Sequence, residues 1–172
     1  MAYVERLVKQ HDLAGKRVLE IGSYNVNGSV RPLFGNPVYD DSVNYRENRY
    51  VGIDIREGPG VDLVRPARKI DDDFPCGWAD VVVCCEMLEH DSSFWETLRN
   101  IAWVLARGGR AIITTRGIGF PLHEHPSDYW RFTTMAAQDV FPLYAGLENV
   151  EVEEDPQVSG VFLTGTRRSR GP

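Results

Sequence analysis

Residues 18–30, VLEIGSYNVNGSV, decide how the rest of the chain is read. With Arg17, the first part (17–22) is a short, nearly continuous apolar run, the pattern of a strand buried on both faces. It ends in Gly22, a residue that takes positive φ freely and lets another group approach the backbone. The loop beyond offers backbone N–H groups and the side chains of Ser23, Tyr24 and Asn25. A regular helix does not follow. Pro32 falls in its first turn, and GNP (35–37) stops it almost at once.

The same buried-strand pattern recurs at YVGIDI (50–55), more weakly at VDLV (61–64), most strongly at ADVVVCCEM (79–87), and again at RAIITT (110–115). ENVEVEE (148–154) alternates as a half-exposed strand does, and GVFLTGT (160–166) is the last strand. Tyr3, Val4, Leu7 and Val8 recur at helical spacing and predict a helix over 2–12, with Gly15 as its stop. Phe94, Trp95, Leu98, Ile101, Ala102 and Leu105 predict a second over 93–106, ended by RGG (107–109). A third is predicted over 133–146, capped by Thr133 or Thr134, shortened by Pro142 and closed by Gly146. Strands that alternate with helices, then a late pair of strands, predict an α/β fold. Its open sheet is mostly parallel and ends in an antiparallel pair. In such sheets ligands sit beyond the carboxyl ends of the strands.

At 172 residues with no Pro-, Gly- or Ser-rich linker, one domain over 1–172 is expected, with a polar insertion at 36–49 and a disordered basic tail at 167–172. A net charge of −6 argues against a nucleic-acid partner. No apolar run approaches a membrane span, and the first residues, charged and mixed, lack the apolar core of a secretion signal. The three cysteines, Cys76, Cys84 and Cys85, fit neither a disulfide framework nor a zinc motif. A reducing, cytoplasmic setting is the expectation.

Asp54 ends the second strand, where a carboxylate can accept both hydroxyls of a ribose. The pairing of that acid with the Gly22 loop points to a nucleoside-containing ligand. A pyrophosphate is disfavoured, because Gly22 and Gly28 are not spaced as G-x-G-x-x-G and the following helix is poor. Glu20 points the same way, since a carboxylate beside the loop repels phosphate and attracts an ammonium or sulfonium cation.

On these residues the chain resembles the class I S-adenosylmethionine-dependent methyltransferases, of the small-molecule methyltransferase-domain type. VLEIGSYNVNGSV resembles that family's first motif, YVGIDI the second and ADVVVCCEMLEH the fourth. VLARGGRAIITT resembles the helix, turn and strand that follow, and the resemblance spans about residues 15–166. It implies a Rossmann-like seven-stranded sheet with helices on both faces, and S-adenosylmethionine as cofactor. By position, Glu20 and Gly22, with the loop residues Ser23, Tyr24 and Asn25, lie by the cofactor's methionine part. Asp54 takes the ribose and Ile55 lies against adenine, with Glu86 and Met87 beneath the cofactor. Pro66 stands where the family often has an acid that meets the adenine amine, so Asp62 or backbone is left for that contact. The 36–49 insertion reads either as a surface excursion or as a lid.

GFPLHEHPSDYWRFT (119–133) packs two histidines, an aspartate, an arginine and several aromatics just after a parallel strand. Loops there carry chemistry more often than packing. Methyl transfer is an in-line displacement that needs alignment, and a base where the acceptor is a hydroxyl or ammonium. His123, His125 and His90 are the candidate bases. Asp128 is placed to orient a histidine or hold an ammonium, and Tyr129, Trp130 and Phe132 to wall a pocket or simply to pack. Arg131 can equally be tied to Asp128 or Glu124. No metal is expected: His123, His125 and Asp128 have a possible spacing but no evident fourth ligand. Of Glu89 and His90, one is expected in the pocket and the other solvated or capping a helix.

The leading expectation is methylation of an oxygen or nitrogen on a small molecule, a metabolite, sugar or natural product. The chain has little room for a larger acceptor unless a second subunit, as in a homo-oligomer, completes the site. The alternative is a catalytically silent module that binds cofactor or partner. A nicotinamide oxidoreductase lacks its G-x-G-x-x-G, and a nucleic-acid methyltransferase lacks the Asn/Asp-Pro-Pro-aromatic stretch that grips a flipped base.

Overall fold

The computed structural model describes residues 1–169. Seven strands form one sheet in the order β3-β2-β1-β4-β5-β7-β6. They are β1 (Val18–Ile21), β2 (Tyr50–Asp54), β3 (Leu63–Val64), β4 (Ala79–Cys85), β5 (Leu105–Arg116), β6 (Leu147–Asp155) and β7 (Gly160–Arg167). The first five are parallel; β7 runs antiparallel between β5 and β6. The expected sheet and its reversed terminal pair are therefore present.

Alternation within β1 sends side chains to two different layers. Val18, with Val81, Val83 and Ile112, packs under Tyr3, Val4, Leu7 and Val8 of α1 (Ala2–Gln10) and Phe34. Leu19 and Ile21, with Val82, Cys84 and Ile113, pack against the other layer. That layer holds α2 (Ile70–Asp73), α3 (Phe94–Val104) and α4 (Phe141–Ala145), the last preceded by a π-turn over Ala136–Val140. Val18 and Glu20 share the α1 side. There the chain after the Gly22 loop makes only a 3₁₀ turn, Arg31–Phe34, ended by Gly35 at φ 61°. The expected failure of that helix follows from Pro32 and Gly35.

Several boundaries differ from the sequence reading, each for a local reason. The helix predicted to 106 ends at Val104, and β5 starts at once. RGG lies inside β5 as a bulge, because the pairing passes from Ala79–Leu105 directly to Val81–Arg110. Gly109 is needed there, since a Cβ would lie 2.8 Å from the Asp80 carbonyl oxygen. Thr133 does cap the third helix, its Oγ1 accepting from Ala136 N at 3.0 Å. Pro142 does not shorten it: the chain widens into the π-turn first and runs on to Gly146, at φ 60°. The predicted disordered tail is corrected at its start. Arg167 belongs to β7 and Arg168 N donates to Gly146 O at 3.0 Å; positions 170–172 of that prediction lie outside the described residues.

The 36–49 insertion is fastened to the segment leading into β4. Tyr45 Oη donates to Asp73 O at 2.7 Å, Trp78 Nε1 donates to Arg46 O at 3.1 Å, and Tyr45 stacks edge-on with Phe74. These contacts hold the Tyr45–Arg46 part of the insertion at the amino end of β4.

Candidate functional site

Where β1 stops, Gly22 turns the chain at φ 77°, and both Gly22 N and Ser23 N donate to Ile53 O, at 2.9 and 3.0 Å. A Cβ at Gly22 would lie 2.8 Å from the Met87 Cβ, so the glycine lets β1 and the turn after β4 touch. Gly52 and Gly60 serve the same seat, because a Cβ on either would come within 2.7 Å of Ser23 atoms. Ser23 is buried, and its Oγ has no hydrogen-bond partner. Asn25 Oδ1 accepts from Gly28 N at 2.8 Å and closes the loop on itself.

Asp54 already organises this loop. Its Oδ2 accepts from Tyr24 N at 3.3 Å and its Oδ1 from Arg56 N at 3.1 Å. The Arg56 guanidinium lies over the Tyr24 ring at 4.9 Å. Beside it, Ile55 is 54% exposed, an apolar surface at the end of β2.

Glu20 is one layer deeper. Tyr50 Oη donates to its Oε2 at 2.8 Å, and the Arg31 guanidinium, ion-paired to Asp62, lies 4.5 Å over the Tyr50 ring. Burial pushes the Glu20 carboxyl up to about 7. It is thus a buried acid half-ionised near neutrality, not a fixed surface anion. Asp62, a candidate for adenine contact, is engaged inside the fold: besides Arg31 it accepts from Gly52 N at 2.6 Å.

Two strands along, β4 ends at Cys85, and Glu86 turns the chain at φ 50°. Its carboxylate is ion-paired with Arg116 at the end of β5. A 3₁₀ turn, Leu88–His90, follows. Glu89 is fully buried and receives Thr115 Oγ1 on Oε2 at 2.8 Å. Its backbone oxygen accepts from Tyr129 N and Trp130 N, at 2.8 and 3.2 Å, and so pins the segment after β5. Burial, and then the Glu86 carboxylate nearby, raise the Glu89 carboxyl well above the usual carboxylate range.

That segment is built on Asp128 and Arg131. Both guanidinium nitrogens donate to Asp128, at 2.5 and 2.6 Å, and Arg131 also reaches the carbonyls of Phe120 and Pro121. These bonds hold the Asp128 carboxyl well below the usual range. Asp128 Oδ2 further accepts from His123 N at 2.7 Å and faces His123 Nδ1 at 3.2 Å. His90 Nδ1 lies 2.5 Å from Ser127 O. The Nε2 atoms of His90 and His123 each lie 4.0 Å from Glu89 Oε1. Burial lowers the His90 pKa.

The candidates therefore fall into two groups on adjacent strand ends. Gly22, Ser23, Tyr24, Asn25 and Asp54 form one, with Met87 beneath Gly22; His90, His123 and Asp128 form the other, with exposed His125 on its rim. The structure decides between alternatives the sequence left open and corrects one expectation, that Glu89 or His90 is solvated. Asp128 orients His123 but is closed to an ammonium ligand, because Arg131 takes both of its oxygens. Phe132 is core, stacked with Phe94 and Phe141, and Trp130 packs on Phe94 with Nε1 donating to Asp91 O at 2.8 Å; only Tyr129 is exposed. Neither Glu89 nor His90 is solvated. Glu89 is the residue the sequence reading left undecided between pocket and solvent. Its signal was present in EMLEH (86–90), an acid beside a histidine directly after the strongest strand.

No protein-family model and no curated protein sequence matches the chain. Solved structures do. Over 97% of this chain it superposes on the CurJ carbon methyltransferase, with a TM-score of 0.69, 15% identity and 54% of that chain covered. A SAM-dependent methyltransferase from Archaeoglobus fulgidus gives a TM-score of 0.65 at 13% identity, with 96% of this chain and 94% of that one covered. The 1,6-didemethyltoxoflavin-N1-methyltransferase of Burkholderia thailandensis, solved with S-adenosylhomocysteine, gives 0.65 at 15% identity, with 96% and 77% covered. At these identities the likeness is one of fold, and the chain has the Rossmann-like fold of the S-adenosylmethionine-dependent methyltransferases.

Proposed function

We propose that the protein is an S-adenosylmethionine-dependent methyltransferase acting on an oxygen or nitrogen of a small molecule. The observation that carries this reading is the juxtaposition of the two groups. A glycine-seated loop with a ribose-competent carboxylate at the end of β2 lies two strands from a Glu–His–His cluster at the ends of β4 and β5.

The residues fit the cofactor. Asp54 presents carboxylate oxygens that exchange their Tyr24 and Arg56 N–H contacts for ribose hydroxyls. Ile55 offers apolar surface for the base. Gly22, Tyr24, Asn25 and Met87 line the turn between them, Glu86 is steadied by Arg116, and Glu20 supports the layer below. When bound, S-adenosylmethionine supplies an electrophilic methyl group on a sulfonium sulfur. The Glu89–His90–His123 centre is suited to ionising an acceptor, and Asp128 holds the ring of His123 in place. The net charge of −6 and the small volume of chain beyond the sheet favour a small acceptor over nucleic acid.

Calorimetric titration with S-adenosylhomocysteine, with NAD as control, tests the reading. Saturable binding that weakens about 10–100-fold in Asp54→Ala supports it. Transfer of a labelled methyl group to members of an acceptor panel then supports turnover. Affinity without transfer to any acceptor favours the silent module, and absence of heat with S-adenosylhomocysteine overturns the proposal.

A further inference from the structure

We propose that Glu89, His90 and His123 form a binding site for one divalent transition-metal ion. Their atoms Oε1, Nε2 and Nε2 all lie within 4.8 Å of one another. The hydrogen bonds on the far side of each residue determine what those atoms present. His90 Nδ1 faces the Ser127 carbonyl, which only accepts, so Nδ1 carries the hydrogen and Nε2 a lone pair. His123 Nδ1 faces the Asp128 carboxylate paired with Arg131, so in the neutral ring Nδ1 carries the hydrogen and Nε2 the lone pair. Glu89 Oε2 is taken by the Thr115 hydroxyl, while Oε1 is buried with no hydrogen-bond partner. Two imidazole nitrogens and a buried acidic oxygen without a hydrogen-bond partner thus converge, and a divalent cation displacing the Glu89 proton would satisfy all three.

Each of the three also has the outer partner that ordinarily orients a metal ligand: a carbonyl, a carboxylate and a hydroxyl. Two imidazoles and one carboxylate select zinc, cobalt, iron or manganese over calcium or magnesium, which prefer all-oxygen shells. Bonds of about 2.0–2.2 Å require ligand atoms about 3–3.5 Å apart, so the three must close by less than about 1 Å on average. Glu86 stays outside the site, held by Arg116. The trio is closed below by buried Glu89 and open towards exposed His125, whose ring centre is 6.0 and 6.3 Å from those of His123 and His90. The ion's free positions on that side would take an acceptor hydroxyl, with His125 carrying its proton away. That last role rests on the methyl-transfer reading, but the ion site does not.

The test uses the full chain without an affinity tag, freed of metal by chelator and titrated with Co²⁺. The readouts are visible d–d absorption and calorimetry. We expect one ion per chain with micromolar or tighter affinity. Glu89→Gln and His123→Gln should each weaken it by about 100-fold or more, with far-UV circular dichroism unchanged, and Thr115→Val by about 10-fold. Cys76→Ser, which removes the exposed thiol, should leave it as it is. No saturable Co²⁺ binding up to millimolar concentration would overturn the site, a shared proton then filling the gap. Binding that persists in both Glu89→Gln and His123→Gln would overturn it too. Titration of the same sample with S-adenosylhomocysteine reports on the donor loop alone, so the two proposals fail separately.

Discussion

The two halves of the site are built in different ways. The donor side, from Gly22 to Asp54, is a backbone construction. Its hydrogen bonds run from main-chain N–H groups to Ile53 O and to Asp54, and its shape depends on glycines that admit a neighbour. The acceptor side is a side-chain construction. Glu89 and His90 come from the turn after β4, His123 and Asp128 from the loop after β5, and they are joined by Arg131, Thr115 and Ser127. A backbone seat tolerates changes in exposed side chains but not an added Cβ. A side-chain centre has the reverse sensitivity, because burial of charged groups makes each partner costly to remove.

Gly22→Ala probes the first of these most severely. It imposes a left-handed φ on alanine and drives a Cβ against Met87, for an expected loss of about 2–4 kcal/mol in urea unfolding. In the Met87→Ala background the part of that loss due to the Met87 Cγ, 2.9 Å from the added Cβ, should disappear. If Gly22→Ala costs nothing, the donor side is not glycine-seated.

The layer beneath the loop gives a pH signature. Burial raises the Glu20 carboxyl to about 7 in the folded protein. Between the ordinary carboxylate range and pH 7 the native chain therefore holds a proton that the unfolded chain has released. The Glu20 contribution to stability must fall as pH rises through that window, by an amount on the order of 3 kcal/mol, and Glu89, raised in the same way, adds a fall of the same sign. Glu20→Gln, in which Tyr50 keeps an acceptor, should reduce the difference between pH 5 and pH 8 in urea midpoints, leaving the share that Glu89 contributes. An unchanged slope would place the pH dependence elsewhere.

On the acceptor side, Arg131→Gln leaves a buried carboxylate without its cation, and about 2–3 kcal/mol should be lost. The Asp128→Asn, Arg131→Gln pair should recover part of it, since the uncompensated charge is then gone. Additive losses would show that the two residues are not coupled. The smallest effect is expected outside both halves: Thr133→Ala removes a helix cap worth about 1 kcal/mol and should leave S-adenosylhomocysteine affinity unchanged.

The same contrast explains what could be read in advance. The donor loop was legible because its signals are local: an apolar run, Gly22, an acid at the end of the next strand, and Pro32 to halt the helix. The acceptor side was legible only as an unusual segment. The sequence reading placed His123 and Asp128 together but could not separate Asp128 as a ligand from Asp128 as an anchor, which depended on Arg131 folding back three residues. Glu89 was left undecided, because its burial depends on Thr115 and on the backbone of Tyr129 and Trp130.

By itself, the sequence determined the α/β sheet, the order of its strands and helices, and the loops where a ligand would sit. Hydrophobic periodicity and turn residues act over a few positions and are present in the chain however it folds. Only the tertiary structure decided which polar groups meet. Burial of Glu20 and Glu89, the charge pair at Asp128 and the tautomers of His90 and His123 arise from contacts between segments that sequence distance does not report. In a water-poor interior those contacts set protonation and orientation.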